Sequence, residues 1–192
     1  MSSAAATVTR VRTALADAFD SVDDWFEQPE PLRRFRPADG GWTIDEVLEH
    51  VGLTTHYLLI IIRRQAQKAV RKAASADSHA SGASDFDTLA AIADPGAFTW
   101  IRPEHMEPSG SAPPADVRAL LRQQKNDCLE ILNALRRGEG WLVRVGMSVH
   151  GLGKLDLYQW LFFVAQHARR HVAQMDGNAR EYRESASAKV PG

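Results

Sequence analysis

The decapeptide Gly41-Trp42-Thr43-Ile44-Asp45-Glu46-Val47-Leu48-Glu49-His50 carries a helix start in its own side chains. Thr43 and Glu46 have the S/T-x-x-E spacing of a capping box, in which each side chain satisfies the other's backbone N–H. Trp42 before the cap and Val47 one turn into the helix have the spacing of a hydrophobic staple. The helix therefore begins at Ile44 and runs to about residue 73, with Val47, His50, Val51, Thr54, Leu58, Ile61 and Ile62 on or near its inner face. Arg63, Arg64, Lys68, Arg71 and Lys72 crowd its last turns, where cations complement the helix dipole and solvate an exposed end.

Three more amphipathic stretches flank this one. From about residue 5 to residue 26, Val8, Val11, Leu15, Phe19, Val22 and Phe26 recur at intervals of three and four, which predicts a first helix ending before Pro29 and Pro31. A third helix, about residues 115–137, aligns Val117, Leu120, Leu121, Cys128, Ile131, Leu132 and Leu135 and stops at Gly138-Glu139-Gly140. Cys128 falls inside that apolar stripe and reads as a small buried hydrophobe. After a glycine-containing connector, residues 138–154, Asp156 and Gln159 cap a fourth helix. Its core face is Leu157, Trp160, Leu161, Val164, Ala168 and Met175, and Gly177 suits its C-terminal stop.

Between helices two and three, residues 74–114 change character. Residues 74–85 have too little apolar surface to fold alone and read as flexible. A helical turn around Phe86, Leu89 and Ala93 follows, then a proline-punctuated stretch. So long a connection lets helices two and three run parallel, joined by a crossover. With no strand pattern, the expectation is one all-α domain over residues 1–192: a four-helix bundle with a long crossover between helices 2 and 3.

Charge and composition exclude several functions. Lys+Arg number 23 against 24 Asp+Glu, a net charge of −1 that gives a dedicated nucleic-acid binder no electrostatic basis. The longest apolar run, residues 57–62, is far short of the ~20 residues that cross a bilayer. The N-terminus lacks the basic-then-apolar pattern of a signal peptide. Cys128 is the one cysteine, which excludes an intrachain disulfide and makes a reducing cytoplasm the expected compartment.

Among the 7 histidines, His167 and His171 are four residues apart, so both rings leave one helix face about one turn apart. They continue the stripe that buries Trp160, Leu161 and Val164, and His50 points inward from helix two. Three imidazoles thus converge in the core. Nitrogen donors without thiolates suit a divalent first-row ion, zinc or nickel foremost and iron or manganese next, and three protein ligands leave a position open for water or substrate. Ala168 stands where a zincin would carry its general-base Glu, which argues against peptide hydrolysis of that type. His56 lies about a third of a turn away from His50 and off the site face. His79 and His105 read as exposed polar residues of the connection, and His150, just before helix four, is a candidate for the pocket mouth. Glu46 is primarily a cap, with orientation of His50 as its alternative role, and Arg170 is an exposed helix arginine or an anion contact at the site edge.

The segment Gly41–His50, the later run His150-Gly151-Leu152-Gly153-Lys154-Leu155, and the final Gln166-His167-Ala168-Arg169-Arg170-His171-Val172-Ala173-Gln174 together resemble the DinB-like superfamily over the whole chain. The resemblance implies a four-helix bundle with a long second crossover and a metal held by His50, His167 and His171, the same three residues selected by helix geometry. Characterised relatives include bacillithiol-using S-transferases and mycothiol-dependent maleylpyruvate isomerases. It therefore implies an enzyme that activates a low-molecular-weight thiol toward a small-molecule substrate, with catalytic and cofactor-binding residues other than the metal ligands unassigned. The alternatives are a small-molecule hydrolase using water at the same metal, and a non-catalytic metal- or ligand-binding stress protein, a homodimer through an exposed helix face.

Overall fold

The computed structural model describes residues 3–75, 82–97, 103–147, 149 and 151–188, and it is mostly helical. Four long helices, α1 (Ser3–Asp23), α3 (Ile44–Ser75), α5 (Pro114–Ala134) and α6 (Leu157–Ser187), pack around one core. Two single-turn helices, α2 (Glu30–Arg33) and α4 (Asp87–Ala90), sit in the connections. α1 packs on α5 and α6, and α3 packs on the same two helices. None of the described helices is long and apolar enough to cross a membrane.

The capping box at the start of α3 forms as the sequence dictates. The Glu46 N–H donates to Thr43 Oγ1 at 3.2 Å, and the Thr43 N–H donates to Glu46 Oε2 at 2.7 Å. Pairings between α3 and α5 advance together along both chains. Gln124 donates to the Gly52 carbonyl at 2.9 Å and Arg63 pairs with Asp127 further on, while beyond the end of α5 Lys72 reaches the Leu142 carbonyl at 3.2 Å. α1 and α5 run in opposite senses: Asp20 pairs with Lys125 at 2.5 Å, while Asp23, three residues later, pairs with Arg118 at 2.7 Å. Two arginines donating to the Asp23 carboxylate, Arg118 first and Arg122 second, hold its pKa far below the usual carboxylate range.

Two expectations require correction. Residues 144–147 and 153–156 pair as an antiparallel hairpin, β1 (Arg144–Met147) and β2 (Gly153–Asp156), where the sequence showed a plain connector. Four-residue strands are too short for alternation to register against a glycine-rich background. Gly151 and Gly153, at φ 68° and 70°, supply the left-handed turn residues. Helix four does not stop at Gly177; α6 continues for ten residues beyond it, to Ser187. Tertiary partners hold the extra turns. Asn178 donates to the Trp42 carbonyl at 2.8 Å, Glu181 accepts from the Ala38 N–H at 2.7 Å, and Tyr182 meets Phe35 edge-on at 5.5 Å. A glycine inside a helix costs about 1 kcal/mol, which these contacts offset.

The connection after α3 is ordered where it touches the helices. Phe86, Leu89 and Ile92 are buried in the core, as the expected helical turn requires. Ser84 donates to Asp156 Oδ2 at 2.8 Å and accepts from Trp141 Nε1 at 2.9 Å, which fastens the connection to the capped start of α6. The segment expected to be flexible includes residues 76–81, outside the described residues, as do His79 and His150.

Candidate metal centre

Helix periodicity delivers three imidazoles to one point in the core. His50 comes from the second turn of α3, and His167 and His171 come from successive turns of α6. All three are buried, at 5%, 2% and 8% exposure, although imidazole is polar. The potential ligand nitrogens lie within 4.8 Å of one another. The His167 and His171 Nε2 atoms are 3.2 Å apart, and the His50 ring centroid is 5.5 Å from that of His167 and 4.8 Å from that of His171.

The outer nitrogens explain why the Nε2 atoms face inward. His50 Nδ1 is 2.7 Å from the Met106 carbonyl. A carbonyl oxygen can only accept, so Nδ1 carries the proton and Nε2 presents a lone pair. His171 Nδ1 donates to Gln174 Oε1 at 2.9 Å, with the same consequence at its Nε2. Trp42 lies against the His50 ring with centroids 4.8 Å apart, and Phe163, one turn before His167, stacks on that ring at 6.5 Å.

Electrostatics keep His167 neutral. Burial pushes the His167 pKa well below the ordinary histidine value of 6.5, and His171, His50 and Arg170 add like-charge repulsion in the same direction. Neutral imidazole is the form that ligates a metal. A depressed folded-state pKa also sets a sign for stability. The unfolded chain binds a proton on His167 below about pH 6.5 and the folded chain does not, so metal-free protein loses stability as pH falls from 6.5 toward 5. One proton contributes a slope of about 1.4 kcal/mol per pH unit. Urea midpoints for wild type and His167→Gln across this window measure it, and equal slopes would remove the assignment.

The donor set fits a divalent ion: three buried imidazole nitrogens, two of them on rings whose outer nitrogen is held by an acceptor. Ligand nitrogens about 2.0–2.1 Å from zinc stand roughly 3.4 Å apart on a tetrahedron, close to the 3.2 Å between His167 and His171. Among the described residues no carboxylate or thiolate joins this cluster. Cys128 is fully buried elsewhere, and burial pushes its thiol up to about 12.

The other candidates have different tasks. Glu46 caps α3 and accepts from Arg36 at 2.7 Å, so it does not orient His50. Burial raises its pKa, but the bonds from Arg36 and Thr43 outweigh this and leave it lowered. Arg170 donates to the Asp94 carbonyl and, at 2.8 Å, to the Pro95 carbonyl, so it holds the connection. His56 and His105 are both exposed, with Tyr57 lying between them at 5.3 Å and 4.3 Å. Sequence reading missed the two Nδ1 acceptors. Gln174, three residues after His171 on the same helix, was open to discovery by spacing, whereas the Met106 carbonyl has no side-chain signature.

A helical protein that gathers three buried imidazoles from two helices, two of them backed by an acceptor, is defined by that fold and site as a candidate three-histidine metalloprotein. The sequence model of the DinB superfamily matches residues 6–175, and the chain belongs to that superfamily. No curated protein and no solved structure matches it.

Proposed function

We propose that this protein is a metal-dependent thiol S-transferase-type enzyme, holding a divalent ion, zinc or nickel first, at His50, His167 and His171. The single observation that carries the reading is the convergence of three buried nitrogens within 4.8 Å, one of them kept neutral by burial. A divalent ion there supplies about two uncompensated positive charges, which favour the thiolate form of a low-molecular-weight thiol over the thiol. The chain itself does the rest: His50, His167 and His171 set the donor geometry, Met106 and Gln174 orient two of the rings, and Trp42 and Phe163 wall them from water. In the transfer the thiol sulfur would form a new bond to the electrophilic carbon as that carbon's bond to its leaving group, chloride in a chloroarene, breaks, with the leaving anion and the thiol proton both released to solvent.

The surroundings favour a thiol over water as nucleophile. Water attack needs a general base. The carboxylates near His50 are committed elsewhere, Glu46 to Thr43 and Arg36, and Glu49 to Ser109 and Gly110. The parallel advance of the two α3–α5 pairings further supports arranging the four long helices as a bundle with a crossover between α3 and α5.

Zinc- and nickel-loaded protein assayed with several thiols and a chromogenic chloroarene tests this. The expected result is a rate at least about ten-fold above thiol alone, abolished by chelation. No acceleration with any thiol would overturn the proposal.

A further inference from the structure

Residues 103–110 are fastened to the start of α3 by two neighbouring attachments. Glu49 Oε1 accepts from the Ser109 N–H at 3.0 Å and from Ser109 Oγ at 2.8 Å, and Oε2 accepts from the Gly110 N–H at 3.0 Å. Ser109 Oγ in turn accepts from the Ser111 N–H at 3.1 Å. Gly110 makes the close approach possible: its φ is 69°, and a Cβ there would stand 3.0 Å from Glu46 Oε1. The next residue of α3 is His50, whose Nδ1 donates to the Met106 carbonyl in the same segment.

We infer that Glu49 is a positioning residue for the ligand beside it: by gripping Ser109 and Gly110 it holds the Met106 carbonyl on His50 Nδ1. That carbonyl fixes both the ring orientation and the tautomer: with the proton on Nδ1, Nε2 keeps its lone pair, which faces Thr54 Oγ1 at 3.5 Å, and the ring stays in the cluster with His167 and His171. Without the grip, the ring turns and exchanges its proton between the two nitrogens. Only the fraction of molecules with Nε2 bare and aimed inward then binds an ion, so apparent affinity falls by that fraction. Loss of such an outer partner typically costs 10–100-fold in metal affinity. The affinity of the centre thus depends on a chain segment 56 residues beyond the ligand it serves.

The part concerning affinity rests on the metal reading above, whereas the part concerning the tautomer does not. Two measurements on Glu49→Ala, Ser109→Ala and the double variant separate them. The first is nitrogen NMR on metal-free protein, reporting which ring nitrogen of His50 carries the proton. The second is zinc affinity by competition with a chromogenic chelator. Wild type is expected to show Nδ1–H alone, and Glu49→Ala a mixture of tautomers with affinity lower by about 10–100-fold. Ser109→Ala keeps the carboxylate charge, so a smaller loss in the same direction identifies the grip and not simple Coulomb attraction. The double variant is expected to bind zinc no more weakly than Glu49→Ala, because the one bond that Ser109→Ala takes from Glu49, that of Ser109 Oγ, is already lost in Glu49→Ala, while the two main-chain bonds survive in Ser109→Ala. Pure Nδ1–H in Glu49→Ala, wild-type affinity in Ser109→Ala, or losses that multiply in the double variant would each overturn the inference. Wild type that takes up no zinc while its tautomer still responds to Glu49→Ala would sink the metal reading and leave the grip established. Should Glu49→Ala fail to fold, Ser109→Ala alone decides by the same two readouts.

Discussion

His171→Ala is expected to lower the metal content of the purified protein from near one ion per chain to near none, without unfolding it. Structural zinc binding free energies of about 10–16 kcal/mol spread over four ligands correspond to roughly 2.5–4 kcal/mol per ligand, or about 10²–10³ in affinity. His171 is the ring that closes the cluster. Its Nε2 stands 3.2 Å from that of His167, and its centroid is nearer to His50 than that of His167 is. Removing it leaves two ligands on different helices and releases Gln174 Oε1 from its bond. The fold tolerates the change, because the truncation removes a polar ring packed against two other polar rings, His50 and His167, and relieves one of the repulsions on His167. Plasma mass spectrometry on untagged protein, beside a His50→Ala, His167→Ala double variant, measures the content, and circular dichroism checks the fold. Wild-type protein that holds no ion and accepts neither zinc nor nickel would end the metalloenzyme reading. Full metal content in His171→Ala would place the ion elsewhere.

The legibility of this chain divides along a physical line. The α3 start was readable because Thr43 and Glu46 satisfy each other locally, and the α6 start because Asp156 and Gln159 do the same at 2.9 and 3.0 Å. His50, His167 and His171 were readable because helix periodicity alone decides which face a residue occupies. What failed depended on partners distant in sequence. Gly177 looks like a stop until Trp42 and Ala38 are known to hold the turns after it. The β1–β2 hairpin is too short to signal itself. Arg170 looks exposed until Asp94 and Pro95 come to it. The Met106 carbonyl that orients His50 could not be read at all, since every residue carries one.

Gly140→Ala is expected to be the most damaging single-methyl change for stability, by about 2–6 kcal/mol. Gly140 is buried in the turn that follows α5, and a Cβ there would lie 2.6 Å from Tyr158 Cε2 and 2.7 Å from Cζ. Something must shift, and Tyr158 is poorly placed to do so. Its ring is 0% exposed, its hydroxyl donates to the Leu135 carbonyl, and it accepts from the Gly140 N–H at 3.3 Å. Burial pushes that hydroxyl's pKa up to about 12, so it remains a donor throughout the accessible pH range. Trp141 meets the same ring at 5.4 Å and blocks one line of retreat. Overpacking of about 1–3 kcal/mol therefore adds to about 1–3 kcal/mol for buried groups left unpaired. At roughly 2–4 °C per kcal/mol for a chain of this size, Tm falls by about 4–24 °C in a melting experiment. A decrease under about 2 °C would show that the junction yields, and the argument would fail. Adding Tyr158→Leu removes the ring that the methyl strikes, so the double variant should lose less than the sum of its parts. Zinc separates this junction from the metal centre. Tyr158 is on the first turn of α6, whereas the histidine turns are held from the other side by Asn178 on Trp42 and by Met106 on His50. Below the lowered Tm, the variant should gain as much stability from a given excess of zinc as wild type does, because ligand-linked stabilisation depends on affinity in the folded state alone.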